Sequence, residues 1–179
     1  HSADLSGPVN DRAMLHADNA YYLENIEVIS HRCRTHTASS TAFRGFGGPQ
    51  GMMVIENVVD DVARTLGLDP LAVRRLNFYG VGGHHSTPYG QPVVDSVLHE
   101  IADRLEADSD YRARRAEIER WNATAPVVRR GIAFTPLKFG ISFNALFFNQ
   151  AGALVHIYTD GTVLVNHGGT EMGQGLHTK

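Results

Sequence analysis

Two periodicities divide this chain, and they follow one another instead of alternating. Met53, Ile55, Val58, Val59, Val62 and Leu66 recur at three- and four-residue spacing, the mark of a helix with an apolar face. Pro49 leads that helix and Gly67 supplies a left-handed stop. After Pro126 the texture changes: residues 127–134, 140–147 and 153–158 are strand-like. Asp160-Gly161, between Leu154-Val-His-Ile-Tyr158 and Val163-Leu-Val165, is the strongest hairpin signal. Helices first and strands later exclude a repeating strand–helix–strand fold and predict the α+β class. The first half should be rich in helix and the second in antiparallel strand, with a boundary inside residues 92–126.

The remaining elements follow from local signals. Ser6 is expected to cap a first helix with Pro8 in its first turn and Ala13, Met14 and Ala17 among its apolar positions. Residues 26–35 are β-prone, and 37–50, rich in Ser, Thr and Gly, read as loop. Asp69-Pro70 is a cap followed by a first-turn proline, opening a short helix through Leu71, Val73, Leu76 and Phe78. Residues 80–92 are loop; 94–105 and 110–122 are two further helices.

Composition narrows the function. Sixteen Lys plus Arg against 19 Asp plus Glu leave a net charge of -3 over 179 residues, without the basic excess that nucleic-acid binding needs. Cys33 is the single cysteine, so no internal disulfide forms and the chain reads as intracellular. No apolar run reaches the roughly 20 residues of a membrane span, which predicts a cytoplasmic protein with no membrane partner. The chain opens on His1-Ser2 and stops at Lys179 inside its most glycine-dense segment; a piece of a longer polypeptide is expected.

Two segments carry the chemistry. In Phe43-Arg-Gly-Phe-Gly-Gly-Pro-Gln-Gly51, Gly45 and Gly47 begin a dinucleotide fingerprint, but Gln50 stands where its third glycine belongs. Arg44-Gly-Phe-Gly47 matches half of an RNA-recognition octamer that Gly48-Pro49 then breaks. What is left is a backbone that can approach a ligand closely beside a helix start, or simply a tight structural turn. Gly168-Gly-Thr-Glu-Met-Gly-Gln-Gly175 places four glycines in eight residues after the hairpin, and Gln174 adds an amide able to both donate and accept.

Taken together, Ala42-Phe-Arg-Gly-Phe-Gly-Gly-Pro-Gln-Gly51 and Gly169-Thr-Glu-Met-Gly-Gln-Gly-Leu-His-Thr-Lys179 resemble the molybdopterin-binding subunit of the xanthine oxidase and aldehyde oxidase family of molybdenum hydroxylases. The resemblance continues through Asp11-Arg-Ala-Met-Leu-His16, Thr135-Pro-Leu-Lys-Phe-Gly-Ile-Ser-Phe143 and Asn149-Gln-Ala-Gly-Ala-Leu-Val-His-Ile-Tyr-Thr-Asp-Gly161. It implies a piece spanning two molybdopterin-binding domains: residues 1–93 end the first, 94–126 connect, and 127–179 start the second. It also implies hydroxylation of hypoxanthine and xanthine to urate, with electrons passing through 2Fe–2S clusters and FAD to NAD. Those groups, the rest of the molybdenum subunit and the iron–sulfur/FAD partner lie elsewhere in a dimeric complete enzyme, and the present chain is expected to be inactive by itself. A hydroxylase of other N-heterocycles or aldehydes, or a non-catalytic binding piece, is the alternative.

Residue by residue, the resemblance makes Arg12 the substrate arginine that stabilises negative charge growing on a purine. Phe46 and Phe143 become the two rings that clamp a flat substrate. Asn144, where purine-oxidising relatives often carry threonine, becomes a substrate hydrogen-bonder. Arg44 contributes a backbone amide near a molybdenum ligand, and Gly45, Phe46, Gly173 and Gln174 contact the cofactor. Without the resemblance, Arg12 would read as a solvated helix charge and Phe143 as core. His16 and His156 read as structural histidines in apolar surroundings. The arginines between 112 and 130 read as a solvated helix face with Glu117 and Glu119. Asp60-Asp61 and Glu106 with Asp108 lack the spacing of a catalytic carboxylate pair.

Overall fold

The computed structural model describes residues 5–80, 82–143 and 145–178. The chain forms two compact units, residues 1–139 and 140–179. Among the described residues the first unit holds five helices: α1 (Ser6–Leu15), α2 (Gly48–Leu66), α3 (Pro70–Leu76), α4 (Leu98–Asp108) and α5 (Tyr111–Thr124). The second holds a 3-10 turn at Leu146–Phe148, strands β1 (Ala153–Ile157) and β2 (Val163–His167), and a 3-10 turn at Leu176–Thr178. Helix-rich then strand-bearing is the expected order. Among the described residues no helix is long and apolar enough to cross a membrane.

The ends of α2 and α3 form for the reasons their sequence suggests. Gly67 closes α2 with φ 65°, and the Leu68 N–H then reaches the Ala63 carbonyl at 2.9 Å. Asp69 caps α3, its Oδ1 accepting from the Leu71 and Ala72 N–H groups at 2.7 and 3.2 Å. The buried face of α2 differs from the expected one. Met52, Ile55, Val59 and Ala63 are buried, whereas Met53, Val58, Val62 and Leu66 are exposed. Apolar residues occupy two faces of this helix, and periodicity alone does not say which one meets the core. That core gathers Tyr21, Ile55, Val59, Ala63, Leu71, Val73, Phe78, Ala102, Tyr111 and Phe134.

Three expectations need correcting. Ser6 does not cap α1: Leu5 stands at the cap with no side-chain bond, while the Ser6 hydroxyl, inside the first turn, donates to the Ser40 carbonyl. Residues 26–35 form no strand. They lie beside α1, tied by Ser30 to Asn10 at 2.6 Å and by an Arg32–Asp11 ion pair. Among the described residues, 127–134, 140–143 and 145–147 form no strand either. Their β-prone side chains find no ladder, and side chains take the backbone groups instead. Asn122 accepts from the Arg130 N–H and donates to its carbonyl, both at 2.9 Å.

The hairpin is present as read. β1 and β2 pair antiparallel from Ala153 opposite His167 to Ile157 opposite Val163. Asp160 shapes the turn by accepting from the Thr162 N–H and hydroxyl at 2.9 and 2.8 Å, and Gly161 takes φ 86°. Both faces of the hairpin are exposed within its unit. His156 therefore lies on an exposed strand beside Tyr158, with ring centroids 4.4 Å apart, and not in apolar surroundings.

Candidate cofactor and substrate site

The glycines of the first segment divide by what surrounds them. A Cβ on Gly47 would overlap the Val9 carbonyl of α1, and one on Gly51 would overlap the Ala13 carbonyl. These two glycines, four apart on one helical face, let the start of α2 press backbone to backbone against α1. Gly48 faces Phe139, whose Cε2 lies 2.7 Å from where a Cβ would stand. Close packing against α1 and Phe139 thus accounts for Gly47, Gly48 and Gly51, the reading of a structural turn.

Arg44, Gly45 and Phe46 form the turn that enters α2. The Phe46 N–H donates to the Phe43 carbonyl at 2.7 Å, and the Gly48 N–H to that of Gly45 at 3.0 Å. Gly45 has φ 88° and Phe46 has φ 52°. A bulky side chain in the left-handed region is strained backbone, the kind that collects at functional sites. Arg44 is exposed and Phe46 half-buried.

Arg12 is not a solvated charge. It sits in the last turn of α1 with 7% of its surface exposed. Its guanidinium carbon lies 5.4 Å from the centroid of the Phe139 ring, within cation–π range. Burial lowers its pKa from the ordinary value, yet an arginine stays charged at any accessible pH. One turn on, His16 donates from Nδ1 to the Arg12 carbonyl at 2.9 Å, and its ring meets Phe139 at 5.0 Å. Burial pushes the His16 pKa down. The neighbouring cations Arg12 and Lys138 push it the same way, against the hydrogen bond to Arg12 and the charge of Asp18. At neutral pH His16 is therefore an uncharged support for Arg12 and adds no second cation.

In the second unit, Phe143 is pinned by Asn149, which accepts from its N–H at 2.7 Å and donates to its carbonyl at 3.0 Å. The Phe143 ring meets Phe148 edge-on at 5.6 Å. No local sequence signal marks Asn149 as the residue that holds the Phe143 backbone. Asn144 lies outside the described residues.

The loop carrying Gly173 and Gln174 is organised from within by Glu171. One carboxylate oxygen accepts from the Gly173 and Gly175 N–H groups at 2.7 and 3.2 Å, and the other from that of His177 at 3.4 Å. Gln174 bridges the Met172 N–H and the Thr170 carbonyl at 2.6 and 2.7 Å. Gly175 takes φ 80° with open space where a Cβ would be, leaving bare backbone accessible to a bulky group. Desolvation raises the Glu171 pKa, but the backbone bonds from Gly173, Gly175, Leu176 and His177 outweigh it, and the net shift is downward. A depressed carboxylate pKa gives order that is complete above the ordinary value and lost as pH falls through the lowered one. The Gly173 and Gly175 amide-proton shifts should therefore titrate together with a midpoint below 4.5, the ordinary glutamate value. A common midpoint at or above 4.5 would remove Glu171 as the organiser.

The structure thus brings Arg12 and the turn Arg44-Gly45-Phe46 into one unit, and Phe143, Gly173 and Gln174 into the other. Comparison with known proteins gives this set its context. Molybdopterin cofactor-binding domain models match residues 1–78 and 104–179. The chain belongs to the molybdopterin cofactor-binding domain family. Within it, this stretch is similar along its whole length to xanthine dehydrogenases and to a nicotinate hydroxylase. It is 51% identical to xanthine dehydrogenase/oxidase of Gallus gallus over all of its 179 residues. It is also 47% identical to xanthine dehydrogenase of Dictyostelium discoideum over 178 residues, 99% of the chain. Nicotinate hydroxylase hnxS of Emericella nidulans is 48% identical over 182 aligned positions, covering 100% of the chain. The chain spans 13% of the length of each of these relatives.

Proposed function

We propose that this stretch forms the substrate-facing part of a purine hydroxylase, one that converts hypoxanthine and xanthine to urate in the cytoplasm. The observation that carries the reading is Arg12, a cation withdrawn from solvent at the end of α1 and set against an aromatic ring. A dry, oriented guanidinium acts on charge developing in a heterocycle far more strongly than a hydrated one.

Each unit by itself offers backbone suited to a molybdenum–molybdopterin group. Gly175 and the left-handed turn at Gly45 and Phe46 leave backbone that a large planar ligand can approach. Gln174, once bonded to Met172 and Thr170, keeps one N–H and one carbonyl lone pair for a pterin edge. Arg44 through its main-chain amide, with Gly45, Phe46, Gly173 and Gln174, would hold the group, which supplies the redox and oxygen-transfer chemistry when bound. Phe46 and Phe143 would orient the flat substrate, and Asn144 would hydrogen-bond it. Residues 1–93 then close one cofactor-binding domain, 94–126 connect, and 127–179 open the next. The 2Fe–2S clusters, FAD and NAD, with their iron–sulfur/FAD partner, belong to the rest of a dimeric enzyme.

The nicotinate hydroxylase relative, as similar as the xanthine dehydrogenases, favours a second reading in which the substrate is another N-heterocycle. The test is the complete, molybdenum-loaded protein carrying this stretch, assayed with xanthine, nicotinate and an aromatic aldehyde. Xanthine should show the highest kcat/KM by at least about tenfold, the discrimination that one well-placed charged hydrogen bond supports. A preference for nicotinate or the aldehyde overturns the purine reading, and a loaded protein that oxidises none of the three overturns the enzymatic one.

A further inference from the structure

Residues 136–139 have no regular secondary structure, yet they are fastened to the end of α1 by side chains. Asn19 donates from Nδ2 to the Pro136 carbonyl at 3.0 Å and accepts from the Lys138 N–H at 3.2 Å. The Lys138 ammonium donates to Asp18 Oδ2 at 2.5 Å, and the same oxygen accepts from the Tyr79 hydroxyl at 2.7 Å. Asp18 is 2% exposed and Asn19 1%, so these bonds are shielded from competing water. The residue that follows this anchor is Phe139. Its ring lies against the Arg12 guanidinium on one contact, the His16 ring on another and the α2 start at Gly48 on a third.

We propose that Phe139, held by the Lys138–Asp18–Asn19 anchor, is a positioning residue that fixes the Arg12 guanidinium and so sets the preference for charge-accumulating heterocycles over aldehydes. The inference rests on the reading of Arg12 as the substrate arginine. A long arginine side chain has several rotamers, and an aromatic face that attracts the cation while blocking one side selects among them. His16, tied to the Arg12 carbonyl, packs against the same ring. A substrate that develops negative charge where the guanidinium points needs this orientation, and one that does not is indifferent to it.

The test uses F139L, F139Y, K138M and R12M in the complete, molybdenum-loaded protein. The readouts are molybdenum content, kcat and KM for xanthine and for an aromatic aldehyde, and the calorimetric Kd of xanthine. F139L should lower xanthine kcat/KM about tenfold with molybdenum content and aldehyde kcat/KM within twofold of the parent. F139Y, which keeps the ring, should restore xanthine kcat/KM to within threefold. K138M should fall between them, and the xanthine Kd should weaken in the order F139Y, K138M, F139L. Equal losses on xanthine and the aldehyde, or no rescue by tyrosine, would make Phe139 a packing residue and overturn the proposal. If R12M discriminates between the substrates while F139L does not, the proposal fails and the Arg12 reading stands. If R12M does not discriminate, the reading itself fails and takes the proposal with it.

Discussion

Replacing Arg12 by methionine in the complete protein should depress purine oxidation by about two orders of magnitude or more, with a much smaller effect on aldehydes. Methionine keeps most of the apolar bulk at the end of α1 and should continue to touch Phe139, so the change isolates the charge. A purine carrying a carbonyl becomes more negative as its ring is attacked, and a buried guanidinium opposite that oxygen lowers the barrier by the difference between its two interactions. Arg12 is 7% exposed, so its field is poorly screened and a hundredfold loss, about 2.7 kcal/mol, is a moderate demand. An aldehyde reacts without spreading charge to that position. Steady-state kcat/KM for both substrates, with molybdenum content as the control, reads the result. Equal losses would mean that R12M has disturbed packing around α1, and the purine assignment would go.

The burial of Arg12 could not be read from its neighbours in sequence. On its own Arg12 is one arginine in a helix with no clean apolar stripe. Its burial depends on Phe139, 127 positions away, and on the close approach of α2 that Gly47 and Gly51 permit. Local punctuation was legible because its physics is local. Gly67 stops α2, Asp69 caps α3, and Asp160-Gly161 turns the hairpin, each through bonds to residues at most a few positions away. The missed elements share the opposite property. Residues 26–35, 127–134 and 140–147 are β-prone, but a strand is a relation between two segments, and here side chains such as Asn122 and Asn149 satisfy the backbone first. Two of the four carboxylates that lack the spacing of a catalytic pair behave likewise. Asp60 pairs with Arg74, and Glu106 with Arg75 and Arg112. Arg115 leaves the solvated face expected for α5 to meet Asp69 at 2.9 Å.

The Arg74 cluster leads to the largest expected change in stability. Arg74 has only 2% of its surface exposed. Its Nε and Nη2 donate to Glu56 Oε2 at 2.9 and 2.8 Å, and Nη2 also meets Asp60 at 2.8 Å. The other Glu56 oxygen accepts from the Tyr21 hydroxyl at 2.5 Å and from Asn19 at 2.8 Å. Burial alone would lower the Arg74 pKa, but hydrogen bonds to Glu56 and Asp60 and the charge of Glu56 raise it overall. R74M should cost roughly 3–5 kcal/mol, because it strands the Glu56 carboxylate that this guanidinium balances. R64M, which removes an exposed pair with Asp61, should cost no more than about 1 kcal/mol. Adding E56Q to R74M should return part of the loss, since the stranded charge is then gone. Urea unfolding of the four proteins measures all of this, and an R74M cost no larger than that of R64M would refute the argument. Asn19 gives the result a reach beyond stability. It bonds Glu56 on one side and the 136–138 anchor on the other, so loosening the buried ion pair should also loosen the segment that presents Phe139 to Arg12.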